Sequence, residues 1–104
     1  MNPIPQITAQ ELRHRLATGE DLVLIDVRED DEVAFGMIDG AQHIPMGEIP
    51  QRTEEIPADA EVVFICRSGA RSQRVCEYLQ QQFGYNSIAN LSGGMIDWNE
   101  TAEG

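Results

Sequence analysis

The chain has 104 residues and a mass of 11.6 kDa, a size that suits one hydrophobic core and leaves little for a second. With 41% hydrophobic and 24% charged residues it has the composition of a folded globule, not of a disordered or fibrous chain. Its 18 acids face 7 bases, all arginine, for a formal net charge of −11, which argues against nucleic acid or an anionic membrane surface as partner because both need a basic face.

No apolar run approaches the roughly 18 residues of a membrane span; the longest are Leu22 to Ile25 and Val62 to Cys66. The opening MNPIPQITAQELRHRL lacks a positive head followed by an apolar block, so the expected address is the cytoplasm. Two cysteines, Cys66 and Cys76, are too few for a disulfide scaffold, and neither has the close second ligand of a zinc pair.

In chain order, Thr8 and Glu11 form a capping box with Ile7 placed to staple onto Leu12, which predicts a helix from Thr8 to Thr18 stopped by Gly19. Leu22 to Val27 is an apolar, β-branched run suited to a strand buried on both faces, with Asp26 near its end. The acids Glu29, Asp30, Asp31 and Glu32 suit the first turn of a short helix and read as a solvated helix start, not a metal site. Gly36, Gly40, Pro45, Gly47 and Pro50 then punctuate a loop-rich stretch that wraps the sheet edge, where only Ala41 to Ile44 can pair.

Glu61 to Ile65 is a second buried strand, and Cys66 stands at its C-terminal end. Val75, Cys76, Leu79 and Phe83 recur at helical spacing until Gly84; Ser87 to Leu91 is a further strand, and a last helical piece runs through Trp98. Alternating strands and helices predict an α/β fold with a largely parallel central sheet flanked by helices on both faces. One domain over residues 1–104, with an ordered core of about 5–100, accounts for all of these elements.

The segment with chemical content is Cys66-Arg67-Ser68-Gly69-Ala70-Arg71-Ser72. It sets a thiol where a buried parallel strand stops and a helix begins, the place where open α/β sheets bind ligands. Backbone N–H groups of residues 67 to 72 can converge into an anion-binding concavity that Gly69 permits, and the following helix points its positive end at the same spot. Arg67 and Arg71 add full charge. All three features favour the thiolate, which is the nucleophile. Cys76 lies on the apolar stripe of the helix and reads as core; a Cys66–Cys76 disulfide is the minor alternative.

This loop resembles the active-site loop of the rhodanese family, the single-domain sulfurtransferases. Leu24-Ile25-Asp26-Val27-Arg28-Glu29 is similar to that family's strand ending in Asp-x-Arg. Gly36-Met37-Ile38-Asp39-Gly40-Ala41 with Ile44-Pro45, and Leu91-Ser92-Gly93-Gly94 with Trp98, resemble two further family segments in the right order. Met37 stands where the family usually has histidine. His14 and His43, on a helix surface and in the loop-rich stretch, offer no general base.

The resemblance implies a two-step sulfur transfer. Cys66 takes the sulfane sulfur of a donor such as thiosulfate, holds it as a persulfide, and passes it to a thiophilic acceptor such as cyanide, a thiol or a protein. Arg67, Ser68, Gly69, Ala70, Arg71 and Ser72 would bind the small anionic donor, and Asp26 and Arg28 would brace the surrounding loops. No metal or organic cofactor is implied, and a monomer suffices to bury the core. Two other readings stand beside this one. A non-catalytic interaction or sulfur-carrier module would keep the shape without the chemistry. A cysteine phosphatase or arsenate reductase is disfavoured because those loops carry one residue more between Cys and Arg than the four here.

Overall fold

A computed structural model describes residues 3–101. The first two and last three residues of the expected domain lie outside the described residues. Five strands, β1 (Gln6–Ile7), β2 (Val23–Asp26), β3 (Gln42–His43), β4 (Val62–Ile65) and β5 (Ile88–Leu91), form one parallel sheet in the order β1-β5-β4-β2-β3. Four α-helices, α1 (Ala9–Ala17), α2 (Asp30–Val33), α3 (Ala70–Phe83) and α4 (Gly94–Glu100), connect or follow them.

The continuous apolar reading of β4 is explained by its central place, where every residue is buried. Successive side chains point to opposite faces. Val62 and Phe64 join Ile25 and Ile88 in a core with Val75, Cys76 and Leu79 of α3. Val63 and Ile65 join Leu24 and Leu91 in a second core with Leu12 of α1 and Met95 of α4. Helices therefore cover both faces, as the alternating pattern requires.

α1 starts as its sequence predicts. The Glu11 N–H donates to Thr8 Oγ1 at 3.1 Å, the Thr8 N–H donates to Glu11 Oε1 at 2.9 Å, and Ile7 and Leu12 share one core. Gly19, with φ of 84°, follows the helix end.

Two features depart from the sequence reading. β1 is a strand of two residues, too short to leave a periodic signal; it exists because β5 offers it an edge, with Gln6 opposite Asn90. The loop-rich stretch coils into two 3₁₀ turns, Met46–Gln51 and Thr53–Glu55, which bring Ile49 and Ile56 into the α3-side core. β3, within the Ala41 to Ile44 segment expected to pair, is itself one edge of the sheet. Because all strands run one way, the C-terminal ends of β2, β4 and β5 gather the Asp26, Cys66 and Ser92 regions at one end of the sheet.

Candidate active site

Cys66 leaves β4 and the chain turns at once through Arg67, Ser68 and Gly69 into α3. The turn needs φ of 98° at residue 69, and a Cβ there would meet Leu91 O at 3.2 Å and Gly93 N at 3.3 Å, so glycine fits where a larger residue would crowd the backbone. The consequence is a fold-back onto the sulfur. The Gly69 N–H donates to Cys66 Sγ at 3.1 Å and the Ser72 N–H at 3.4 Å, while Ser72 Oγ lies 3.3 Å away. Cys66 is 0% exposed beneath this ring.

The ring keeps its shape because carbonyls of the same turn are tied off on the other side. The Met95 N–H donates to Cys66 O at 2.9 Å and the Ile96 N–H to Arg67 O at 3.1 Å, both from the first turn of α4. With the carbonyls committed to α4, the loop N–H groups are left free to face inward. Gly94 is what lets α4 come so close: a Cβ there would lie 2.5 Å from Cys66 O and nearer still to Arg67 O. A second tie runs from β5, where Asn90 Nδ2 donates to Gly69 O at 3.1 Å.

Burial pushes the Cys66 thiol up, yet hydrogen bonds from the Ser72 hydroxyl and the N–H groups of Ser72, Gly69 and Ser68 outweigh it, so the thiol lies below its ordinary value. Cys76 is buried too, with only Ala89 O at 3.6 Å as partner, and burial pushes it up to about 12. Both cysteines are free thiols. The disulfide alternative is therefore absent, and Cys76 is core as read.

The arginines do less for the sulfur than the sequence suggested. Arg67 is exposed, and among the described residues its guanidinium makes no hydrogen bond. Arg71 is clamped by Glu32, with Nη1 to Oε1 at 2.6 Å and Nη2 to Oε2 at 2.8 Å. The Arg71 pairing, then the Glu29 N–H, holds the Glu32 carboxyl down to about 2. Hydrogen bonds rather than arginine charge lead the lowering of Cys66. Of the loop residues, Ser68 and Ala70 are exposed and Gly69 and Ser72 buried.

Asp26 and Arg28 stand apart from the sulfur as a buried pair. Arg28 Nη2 donates to Asp26 Oδ2 at 2.8 Å and to Gly36 O at 2.7 Å, which ties the turn after α2 to the end of β2. His43 reaches the same corner, its Nε2 2.7 Å from Arg28 O. Among the described residues no cluster of His, Cys, Asp and Glu could hold a metal ion.

Three residues that shape this site escaped the sequence reading: Glu32, Asn90 and, in its mechanical role, Gly94. Glu32 had no signal of its own, being one of four consecutive acids that read as a helix start. Asn90 had only its polarity within an otherwise apolar strand.

A turn through Arg67, Ser68 and Gly69 that folds N–H groups onto a thiol at the end of a central parallel strand defines an α/β domain with a cysteine loop. The Rhodanese-like domain family matches residues 8–101, and the chain belongs to it. A putative sulfurtransferase, YtwF of Bacillus subtilis, is 50% identical over 95 residues, covering 91% of this chain and 90% of the relative. A sulfurtransferase of Allochromatium vinosum is also 50% identical over 95 residues, with 91% and 88% covered. The solved rhodanese-like domain protein from Staphylococcus aureus superimposes with a TM-score of 0.85 at 34% identity, covering 91% of each chain.

Proposed function

We propose that the protein is a sulfurtransferase in which Cys66 carries the sulfur. The sulfurtransferase names of its relatives support sulfur transfer as the general chemistry. The observation that carries the reading is the convergence of the Gly69 N–H, the Ser72 N–H and the Ser72 hydroxyl on one buried sulfur. Such donors stabilise a thiolate before transfer and a persulfide anion after it.

In the forward half-reaction the Cys66 thiolate attacks the outer sulfur of thiosulfate. The donor S–S bond breaks, its electron pair leaves on sulfite, and a Cys66 persulfide remains. In the second half an acceptor nucleophile, either cyanide or a thiolate, attacks the outer sulfur and the Cys66 thiolate departs. The loop donors hold negative charge on sulfur throughout, so no metal or organic group enters either step. Asp26 and Arg28 act by bracing the turn after α2.

Burial of Cys66 favours a single projecting sulfur atom over a bulky tetrahedral oxyanion, which speaks for this reading over phosphoester hydrolysis. A module kept only for its shape has no use for a thiol lowered by its surroundings. The test is intact mass after thiosulfate treatment. Wild type should gain one sulfur atom with stoichiometric sulfite release and lose it to dithiothreitol, and Cys66→Ala should gain none. No mass gain in wild type with thiosulfate, a persulfide donor or mercaptopyruvate would refute the assignment.

A further inference from the structure

The Ser72 hydroxyl carries one proton and stands between two acceptors, 3.3 Å from Cys66 Sγ and 2.5 Å from Asn90 Oδ1. Groups on the far side decide which acceptor receives it. Ile4 O can only accept, so Gln6 meets it with Nε2 at 3.0 Å and turns Oε1 toward Asn90 Nδ2 at 2.9 Å. Gly69 O can also only accept, and it takes the same Nδ2 at 3.1 Å. The Asn90 amide is thus fixed with Oδ1 facing Ser72, and because a neutral thiol sulfur is a weak acceptor beside an amide oxygen, the Ser72 proton rests on Asn90 while Cys66 is a thiol. Cys66 Sγ then faces a lone pair of Ser72 Oγ, an arrangement that suits an S–H donor and not a thiolate.

We propose that Asn90 is a positioning residue that holds the Ser72 proton away from Cys66 while the sulfur is a thiol, and yields it when the sulfur becomes an anion. On ionisation the S–H proton leaves to solvent. Ser72 keeps its own proton and turns it from Asn90 to the sulfur by rotation about Cβ–Oγ, so no bond to a heavy atom is made or broken. Asn90 is 3% exposed, and its Oδ1 then loses the only donor it has among the described residues. An unpaired buried acceptor resists that turn. Asn90 thereby sets the balance between resting thiol and reactive anion. The inference rests on Cys66 being the reactive sulfur, as proposed above.

The charged groups around the loop are Arg71 of α3 with its partner Glu32 of α2 and nearby Glu29, the closed Asp26–Arg28 pair beyond β2, and exposed Arg67. Arg74 and Glu77 of α3 line a pocket beside Ser68 and Gly69. Asp97 of α4 folds over Gly93, and β5 contributes no ionisable group. None of these groups hydrogen-bonds to Ser72 or Asn90 among the described residues, so variants at those two positions leave the charges in place.

The test is alkylation of the folded protein by iodoacetamide across pH, with the Cys66 adduct located by peptide mass spectrometry. Wild type, Asn90→Leu, Ser72→Ala and the double variant are compared. Asn90→Leu should lower the midpoint by about one unit, roughly a tenfold gain in thiolate at a pH below it, because Ser72 is freed for the sulfur. Gly69 O keeps the Gln73 N–H at 3.2 Å in that variant, so the loop retains a tie. Ser72→Ala should raise the midpoint, and adding Asn90→Leu to it should change nothing further. A raised midpoint in Asn90→Leu, or the same shift with and without Ser72, would mean that Asn90 only tethers Gly69 and would overturn the proposal. If leucine impairs folding by circular dichroism, the smaller Asn90→Ala carries the same expectations. The assay reads ionisation and not sulfur loading, so a Cys66 that shows this pattern yet takes up no sulfur sinks the functional reading alone.

Discussion

Replacing Gly94 by alanine tests whether α4 holds the sulfur-binding loop in shape. The new Cβ would stand 2.5 Å from Cys66 O, against the 3.4 Å at which ordinary contact begins, so loop or helix must retreat by about 0.9 Å. The Met95 N–H to Cys66 O and Ile96 N–H to Arg67 O bonds, now 2.9 and 3.1 Å, would then pass out of range. Two such bonds contribute about 1 kcal/mol each, overpacking costs about 1–3 kcal/mol, and a side chain at left-handed φ costs about 1 kcal/mol. A loss of roughly 4–6 kcal/mol follows, a large part of the roughly 5–15 kcal/mol that a domain has. Gly93→Ala is the internal comparison. There the obstacle is the Asp97 side chain, whose carboxylate can swing away and whose Cβ, at 3.0 Å, needs to give by only a few tenths of an ångström, so the left-handed φ of 76° is the main penalty. Thermal unfolding followed by circular dichroism should fall by roughly 15 °C or more in Gly94→Ala, at about 4–8 °C per kcal/mol for this size, and by much less in Gly93→Ala. In the fraction that folds, the Cys66 alkylation midpoint should rise as the loop N–H groups turn away. Equal losses in the two variants, or a folded Gly94→Ala with an unshifted thiol, would refute the idea that α4 shapes the ring.

Glu32→Gln should raise the KM for thiosulfate several-fold by releasing Arg71 from its clamp, with about 1 kcal/mol of stability lost because the pair is partly exposed; an unchanged KM would remove Arg71 from donor binding. The same pair gives a pH dependence. Glu32 is lowered in the folded state from 4.5 to about 2, so the stability it contributes is present above 4.5 and is lost as pH falls through about 2. Acid unfolding should therefore be steeper across that window in wild type than in Glu32→Gln. Cys76→Ser should leave sulfur loading intact and cost only stability, and Cys76 should resist alkylation at neutral pH in the folded protein because burial pushes it up to about 12. Sulfur found on Cys76, or loading lost in a folded Cys76→Ser, would contradict its reading as core.

The elements visible in the sequence are those whose signal is local. The Thr8–Glu11 box, the apolar runs of β2 and β4, and the helical stripe of α3 each specify themselves within a few residues, and the structure has them within a residue or two. β1 and the 3₁₀ turns at Met46–Gln51 and Thr53–Glu55 are set by partners instead: a free edge on β5, and a gap over the α3-side core that Ile49 and Ile56 fill. The loop was legible because Cys66 to Ser72 is contiguous. What holds the loop was not, because Glu32, Asn90 and Gly94 reach it from α2, β5 and α4 across gaps that no spacing rule connects. The arginines follow a related rule: charge near a residue in sequence says nothing of where the guanidinium finds its own partner, which for Arg71 is Glu32.

Cys66 and Cys76 form a natural control for the physics of the site. Both are 0% exposed and both belong to the core on the α3 side of the sheet. Burial acts on each in the same direction, against the thiolate. Cys76 shows that effect with little to oppose it: one distant carbonyl, which can only accept, faces its sulfur, and the thiol moves up to about 12. Cys66 moves the other way because every close polar neighbour of its sulfur is a donor or can become one. Arg67 and Arg71 do not lead the contrast, since hydrogen bonds come first at Cys66, Arg67 is exposed and Arg71 is paired with Glu32. The reversal is therefore made by the Ser72 hydroxyl first and by the N–H groups of Ser72, Gly69 and Ser68 after it, and the turn that presents those N–H groups is held by what its own carbonyls bind on the other side. That places the origin of Cys66 reactivity in the carbonyls of Cys66, Arg67 and Gly69, which α4 and Asn90 occupy, as much as in the N–H groups that touch the sulfur.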